Sequence, residues 1–292
     1  MTVLALALVL CAALLHAIWN LLYKRARDKP SFAWLFGVAA VVMYFPVFLL
    51  LVGRQPIPDE GWYLVLASGT IHSFYFAFLG RGYASGDLSL VYPLSRGIAP
   101  LLVPLWAAPF LGERVSALGL AGILTVVFGV YVLHLRELSW RGLLAPVRAL
   151  KAPASRMALV TGLLISFYTV VDGRAVRYVE PMVYMYLFMA CYSLFYGPYV
   201  LRISGRAKVE AEWRANALPI LGVGFLVVFT YVMVLFAMTM SQVAYVAASR
   251  EMSVVFGAAM GTILLKESYG RAKVGGSVLI ASGVALIGLA RP

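Results

Sequence analysis

The chain has 292 residues, 63% of them hydrophobic and 12% charged, with a formal net charge of +12 and a mean hydropathy of +0.91. Soluble domains carry about twice that charged fraction, so an ordinary soluble domain is excluded and a polytopic membrane protein is indicated. The Lys and Arg residues lie in short connectors between apolar runs; that placement fits orientation and anionic lipid headgroups, and no nucleic-acid partner is expected.

Apolar runs of about 20 residues predict ten spans. The first half holds them at residues 3–24, 32–52, 61–83, 88–110 and 116–135. The first lacks a basic leader region and is read as a retained helix, not a signal peptide. Its His16, Trp19, Asn20, Tyr23 and Lys24 form a polar-aromatic stripe at helical spacing. Trp19, Asn20 and Tyr23 are expected to line a cavity, and Lys24 to snorkel to the basic face. The third span offers His72, Ser73, Tyr75 and Phe76, with Tyr75 the binding candidate and the histidines expected in hydrogen-bonded packing.

The fourth span places Tyr92, Ser95 and Arg96 among Pro93, Pro100, Pro104 and Pro109. Arginine at that depth costs several kcal/mol unless it faces protein or water, and prolines free backbone carbonyls that a cavity-lining broken helix can accommodate. The fifth span is glycine-spaced. A basic linker, residues 136–156, follows and is too charged to span, so it is expected as an interfacial helix.

The second half has spans at 157–177, 182–202, 216–239, 243–264 and 271–289. In the sixth, Tyr168 and Asp172 are four apart and share a helix face. Tyr231 lies in the eighth span, and Tyr245, Ser249, Arg250 and Glu251 lie in the ninth. Cys11 and Cys191 are isolated, so neither a disulfide nor a metal site is expected. No GxxxxGK[ST] loop is present, so ATP hydrolysis is not indicated.

One offset of 154 residues sets Ser249-Arg250 on Ser95-Arg96, Glu267 on Glu113, Gly276 on Gly122 and Gly283 on Gly129. This indicates a duplication, with residues 1–135 and 157–292 as five-span repeats. Five is odd, so the second repeat enters the membrane from the opposite side to the first: an inverted repeat, the architecture that encloses a midplane site in carriers. Connectors 1, 3, 5, 7 and 9 carry 17 Lys and Arg, and the other face carries 5. The positive-inside rule therefore puts both termini outside the cytoplasm. Glu113 and Glu267 are expected at the N-termini of the helices that follow them. The glycines of the fifth and tenth spans permit close packing between repeats or between protomers.

The segments LGERVSALGLAGILTVVFGVYVL and LKESYGRAKVGGSVLIASGVALIGL resemble the paired signature of the EamA family in the drug/metabolite transporter superfamily. HAIWNLLYKRA and ISFYTVVDGRAVR are similar to the openings of its two repeats. The resemblance implies an all-α integral membrane fold of ten helices in two inverted repeats, general transport activity, and a cavity lined chiefly by spans 1, 3, 4, 6, 8 and 9. It leaves the substrate open, because the family moves many kinds of metabolite. Prolines crowd span 4 and are missing from its partner, span 9, so the repeats have diverged.

The expected function is secondary transport of a small anionic or zwitterionic metabolite across the inner membrane by alternating access, with no cofactor, no metal and no catalytic residue. Arg96 and Arg250 suit a carboxylate or phosphate, with Trp19, Asn20, Tyr75, Tyr92, Ser95, Tyr168, Tyr231, Tyr245 and Ser249 beside them. Asp172 and Glu251 are coupling or counter-ion groups, one binding or coupling and the other bracing an arginine. Proton or exchange coupling, and a monomer or a homodimer, both stay open. Two rivals stand: a cation or drug exporter built on an aromatic cage, and a membrane-embedded transferase acting on lipid-linked substrates.

Overall fold

The computed structural model describes residues 1–24, 26–85, 88–135, 153–265 and 270–290, with the backbone alone for 82–85, 88–94, 153–154 and 264–265. Every regular element among them is α-helical. The first repeat contains α1 Val3–Lys24, α2 Lys29–Leu51, α3 Asp59–Ser85, α4 Leu88–Leu111 and α5 Ala117–Leu133. The second contains α6 Pro153–Ala175, α7 Pro181–Ile203, α8 Gly205–Met240, α9 Val243–Ser249, α10 Met252–Leu265 and α11 Arg271–Leu289. Helices α9 and α10 are the two pieces of the ninth span, which makes ten spans. The interfacial helix expected in the linker falls almost wholly on residues 136–152, outside the described residues.

In hydrocarbon each backbone amide must find its partner within the protein, and an α-helix achieves this within one segment. The sequence also marks the ends. Asp28 accepts from Ser31 N at the start of α2, Ser116 from Gly119 N at α5, and Glu180 from Val183 N at α7; Pro occupies the first turn of α2 and α7. Large apolar side chains such as Val42, Leu50, Leu105 and Ile263 remain exposed, as a surface facing lipid requires.

The packing repeats the duplication. Helix α6 lies against α3 and α4, and α1 lies against α8 and the ninth span; α2 meets α8, and α7 meets α3. Exchanging each span for its counterpart five spans later maps these pairs onto one another. Span 5 meets span 10 as α5 against α11, on the pseudo-symmetry axis. A Cβ at Gly122 would stand 2.8 Å from Gly283 O, and one at Gly283 would stand 2.7 Å from Gly122 O. The glycine spacing therefore serves contact between repeats.

Two elements depart from the sequence expectation. Proline-rich α4 is helical from Leu88 to Leu111, whereas its proline-free partner breaks at Arg250-Glu251. There Glu251 N, Ser253 N and Val254 N donate to Ala248 O, Arg250 O and Glu251 O. These three-residue bonds tighten the turn and end α9 without leaving the amides unpaired. Helix α8 begins at Gly205, well before the expected residue 216, and kinks at Asn216 (φ −133°, ψ 26°). Its first turns hold Glu212, 2% exposed, whose carboxylate accepts Arg27 N, Asp28 N and Asn216 Nδ2. It thereby ties α8 to the turn between α1 and α2.

Candidate substrate site

A cavity of about 1570 Å³ enters between the repeats from one face of the bundle. Its mouth carries Lys24, Arg27, Lys29, Arg81, Arg271 and Lys273, with Asp28 among them. This is the face of the odd-numbered connectors. At its inner end a chamber of about 80 Å³ is lined by Trp19, His72, Tyr75, Tyr168, Thr230, Tyr231 and Arg250. His16, Trp19, Tyr75, Phe76, Arg96 and Ser253 line both spaces.

The opposite face is closed. Glu113 lies in the α4–α5 turn and accepts Val243 N at 2.5 Å and Ala244 N at 3.2 Å. It therefore caps α9 across the bundle, whereas Ser116 caps the helix that follows it. Burial pushes the Glu113 carboxyl up, against the pull of these two amides. Tyr245 Oη takes Ser116 N at 3.0 Å beneath Gly119. Arg174 joins Glu60 at 2.6 Å and Phe110 O at 2.9 Å, and Arg177 reaches Leu111 O at 3.2 Å. These cations complement the C-terminal end of α4. The Met1 ammonium reaches Ala290 O at 2.9 Å, so both ends of the described chain lie on one face.

The arginine pair sits as an inverted repeat demands. Arg96 is about 12 Å from the start of α4, and Arg250 about 10 Å from the start of α9, with the two helices starting at opposite faces. Gly162 on α6 admits α4 closely, since a Cβ there would stand 2.9 Å from Ser95 O. Their surroundings nevertheless differ. Arg96, 8% exposed, contacts Glu251 through Nη2 and Nε, each at 3.2 Å, and gives a further bond to Ser253 Oγ at 3.2 Å. Arg250 has no carboxylate partner among the described residues, and its guanidinium stands 5.1 Å from the centre of the Tyr231 ring. The residue 154 positions before Glu251 is Gly97, so only one arginine of the pair has an acid supplied.

Asp172 is fully buried and does not line the described cavities. Its Oδ1 accepts Ser68 Oγ and Tyr184 Oη, each at 2.6 Å, and its Oδ2 accepts Tyr231 Oη. Ser68 Oγ is also 3.2 Å from His72 Nδ1. His72 lies between Tyr168 and Phe188, with ring centres 4.1 and 4.8 Å away. Two further polar groups stand out. Trp19 Nε1 and Thr230 Oγ1 are buried without a hydrogen-bond partner among the described residues, on residues that line the chamber. Such groups are costly in isolation and are satisfied when a ligand supplies the missing bond.

Of the residues expected from sequence, Trp19, Tyr75, Tyr168, Tyr231, Arg96 and Arg250 meet at the chamber; Asn20 and Ser95 line the wider cavity. Two expectations are corrected. Tyr245 is 1% exposed and committed to the α5 turn. Ser249, the last residue of α9, is fully buried and lines neither space. Glu251 is the counter-ion of Arg96, and neither it nor Asp172 lines the described cavities. The side chain of Tyr92, and Glu267, lie outside the described residues. Sequence reasoning missed Ser68, Tyr184, Thr230 and Ser253. The four-residue spacing of Ser68 and His72 was a readable signal, whereas Tyr184 reaches Asp172 only through the α6–α7 turn.

A helical membrane bundle built from two repeats, with a blind cavity between them, is the architecture of a carrier. The EamA-like transporter family matches residues 3–135 and 153–289. The chain therefore belongs to that family, within the drug/metabolite transporter superfamily, and is a multi-pass membrane transporter. One solved crystal structure is similar with a TM-score of 0.73 and 18% sequence identity, covering 98% of this chain and 96% of that one; the likeness concerns the fold. No curated protein matches the chain by sequence.

Proposed function

We propose that the protein carries a small anionic or zwitterionic metabolite across the inner membrane by alternating access, with Arg250 anchoring the anion. The observation that supports this reading is the asymmetry of the arginine pair. The Arg96 charge is met by Glu251; Arg250 lines the chamber and makes no ion-pair contact with a carboxylate among the described residues. A carboxylate there would take a forked pair of bonds from the guanidinium, with Trp19 Nε1 and Thr230 Oγ1 as further donors. The basic mouth would concentrate anions by attraction.

The positive-inside count makes the open face cytoplasmic and the face of the termini external. The conformation is then inward-open, with Glu113 on α9 and Arg174 on Glu60 holding the outer side shut. Tyr75, Phe76, Tyr168 and Tyr231 could cage a cation, but two arginines at the same chamber oppose it. The transferase reading needs a catalytic acid–base cluster facing the substrate, and neither Asp172 nor Glu251 lines the described cavities.

Counterflow into proteoliposomes tests the proposal, using a panel of carboxylates, phosphate esters and amines. Exchange of one or more anions without chemical change is expected. Exchange confined to amines would overturn the anion reading, and modified lipid would favour the transferase.

A further inference from the structure

The chamber is connected by hydrogen bonds to a carboxylate that no substrate can touch. His72 faces the chamber; its Nδ1 stands 2.9 Å from the Ser68 carbonyl oxygen and 3.2 Å from Ser68 Oγ, and Ser68 Oγ donates to Asp172 Oδ1. On the other side Tyr231 links the two charges, donating its hydroxyl to Asp172 Oδ2 and presenting its ring to Arg250. Asp172 thus stands one tyrosine away from the proposed anion anchor, at the end of a path into the cavity.

We propose that Asp172 is a proton-binding site coupled to Arg250, so that a proton and an anion load together. With Asp172 ionised, its charge offsets that of Arg250 and weakens the field an incoming anion meets. With Asp172 protonated, Arg250 is uncompensated and the anion binds more tightly. Linkage makes the effect reciprocal: a bound anion strengthens proton binding at Asp172 to the same degree. One proton carried with one monovalent anion moves no net charge. The proton arrives by a balanced relay. His72 Nε2 takes a proton from a hydronium ion in the cavity as Nδ1, whose hydrogen is shared between Ser68 O and Ser68 Oγ, releases it to Oγ, and the Ser68 hydroxyl proton passes to Asp172. The imidazole ends neutral in its other tautomer.

Other groups bear on this titration from each packed element. They are Tyr75 on α3, Arg96 on α4, Tyr168 and Arg174 on α6, Tyr184 on α7, and Glu251 at the α9–α10 break. The hydroxyls hold either state of the carboxyl, since each can rotate from donor to acceptor. Arg96 is already offset by Glu251, and Arg174 by Glu60. Arg250 therefore provides the charge that sets the balance.

The direction of coupling rests on the anion reading, but the test uses protons alone. Infrared difference spectra of the purified protein, taken as pH is stepped, report carboxyl protonation. A protonated-carboxyl band that titrates in the parent and is missing from Asp172→Asn is assigned to Asp172; where Asp172→Asn does not fold, Asp172→Glu assigns it by displacing the band. Arg250→Gln is expected to raise its midpoint, since the cation that favours the ionised carboxylate is lost. Arg250→Lys should leave it near the parent. Ser68→Ala should slow the band's rise after a pH jump. An Asp172 band unmoved by Arg250→Gln, or none between about pH 4 and 10, would overturn the coupling while leaving anion transport standing. Failure of the carboxylate panel would leave this titration intact.

Discussion

Replacing Glu251 with alanine would leave Arg96 charged at a site where it is 8% exposed. The two contacts of 3.2 Å to the carboxylate would be lost, while the neutral Ser253 hydroxyl stays within reach. Removing one partner of a buried ion pair costs about 3 to 5 kcal/mol. At about 2 to 4 °C per kcal/mol this lowers the melting temperature by roughly 6 to 20 °C. Glu251→Gln should fall at the low end, because its amide oxygen still accepts one bond. Arg96→Met alone strands the acid and should cost a similar amount. Arg96→Met combined with Glu251→Met removes both charges and should be more stable than either single variant, since neither is then left unpaired. Thermal unfolding of the parent, Glu251→Met, Arg96→Met and the double variant in one detergent gives the cycle. Strictly additive losses would refute the reasoning, for they would mean that the two side chains do not depend on each other.

Glu113→Gln should weaken the cap on α9 by about 0.5 to 2 kcal/mol; a cysteine at Ser249, in a background without Cys11 and Cys191, should then react faster with impermeant thiol reagents added on the side of the termini, and an unchanged rate would count against Glu113 as a latch. Gly122→Leu should abolish the folded protein or lower its melting temperature steeply, as the new Cβ would meet Gly283 O at 2.8 Å; retention of parent stability would contradict the α5–α11 contact. Asp28 is pushed up by burial but more strongly held down by bonds from Ser204 and Ser31, so its carboxyl lies below the usual range. The stability this gives is fully present above the unfolded value near about pH 4 and lost as pH falls through the folded one. The parent should therefore exceed Asp28→Asn in melting temperature at neutral pH, and the gap should close in acid; a gap independent of pH would contradict the assignment.

Most of the bundle was legible because lipid imposes one rule on every span. Apolar length located the helices, and the repeated Ser-Arg, Glu and glycine positions fixed which spans correspond. The glycine spacing named the α5–α11 contact but not its partner, since close approach within a chain and between chains asks for the same residues. The break in the ninth span was hidden, because no proline marks it and tertiary partners around Arg250-Glu251 decide it. The prolines of α4 misdirected that reading toward the wrong member of the pair. In the site, intramembrane charge identified Arg96, Arg250, Asp172 and Glu251. How they pair depends on side-chain reach across helices, which a linear pattern does not encode. The sequence left open which arginine each acid serves; neighbours on a helix point apart, and Glu251 serves Arg96 from the facing span.

The central claim is that Arg250 holds the transported anion, and affinity in the Arg250→Lys protein tests it most directly. An anion found by counterflow is titrated against the purified parent and variant by calorimetry. Lysine keeps the charge but cannot form the fork, so affinity should fall by about ten- to a hundredfold, the loss of about 1.5 to 3 kcal/mol. A folded Arg250→Lys protein that binds the anion as tightly as the parent would contradict the account.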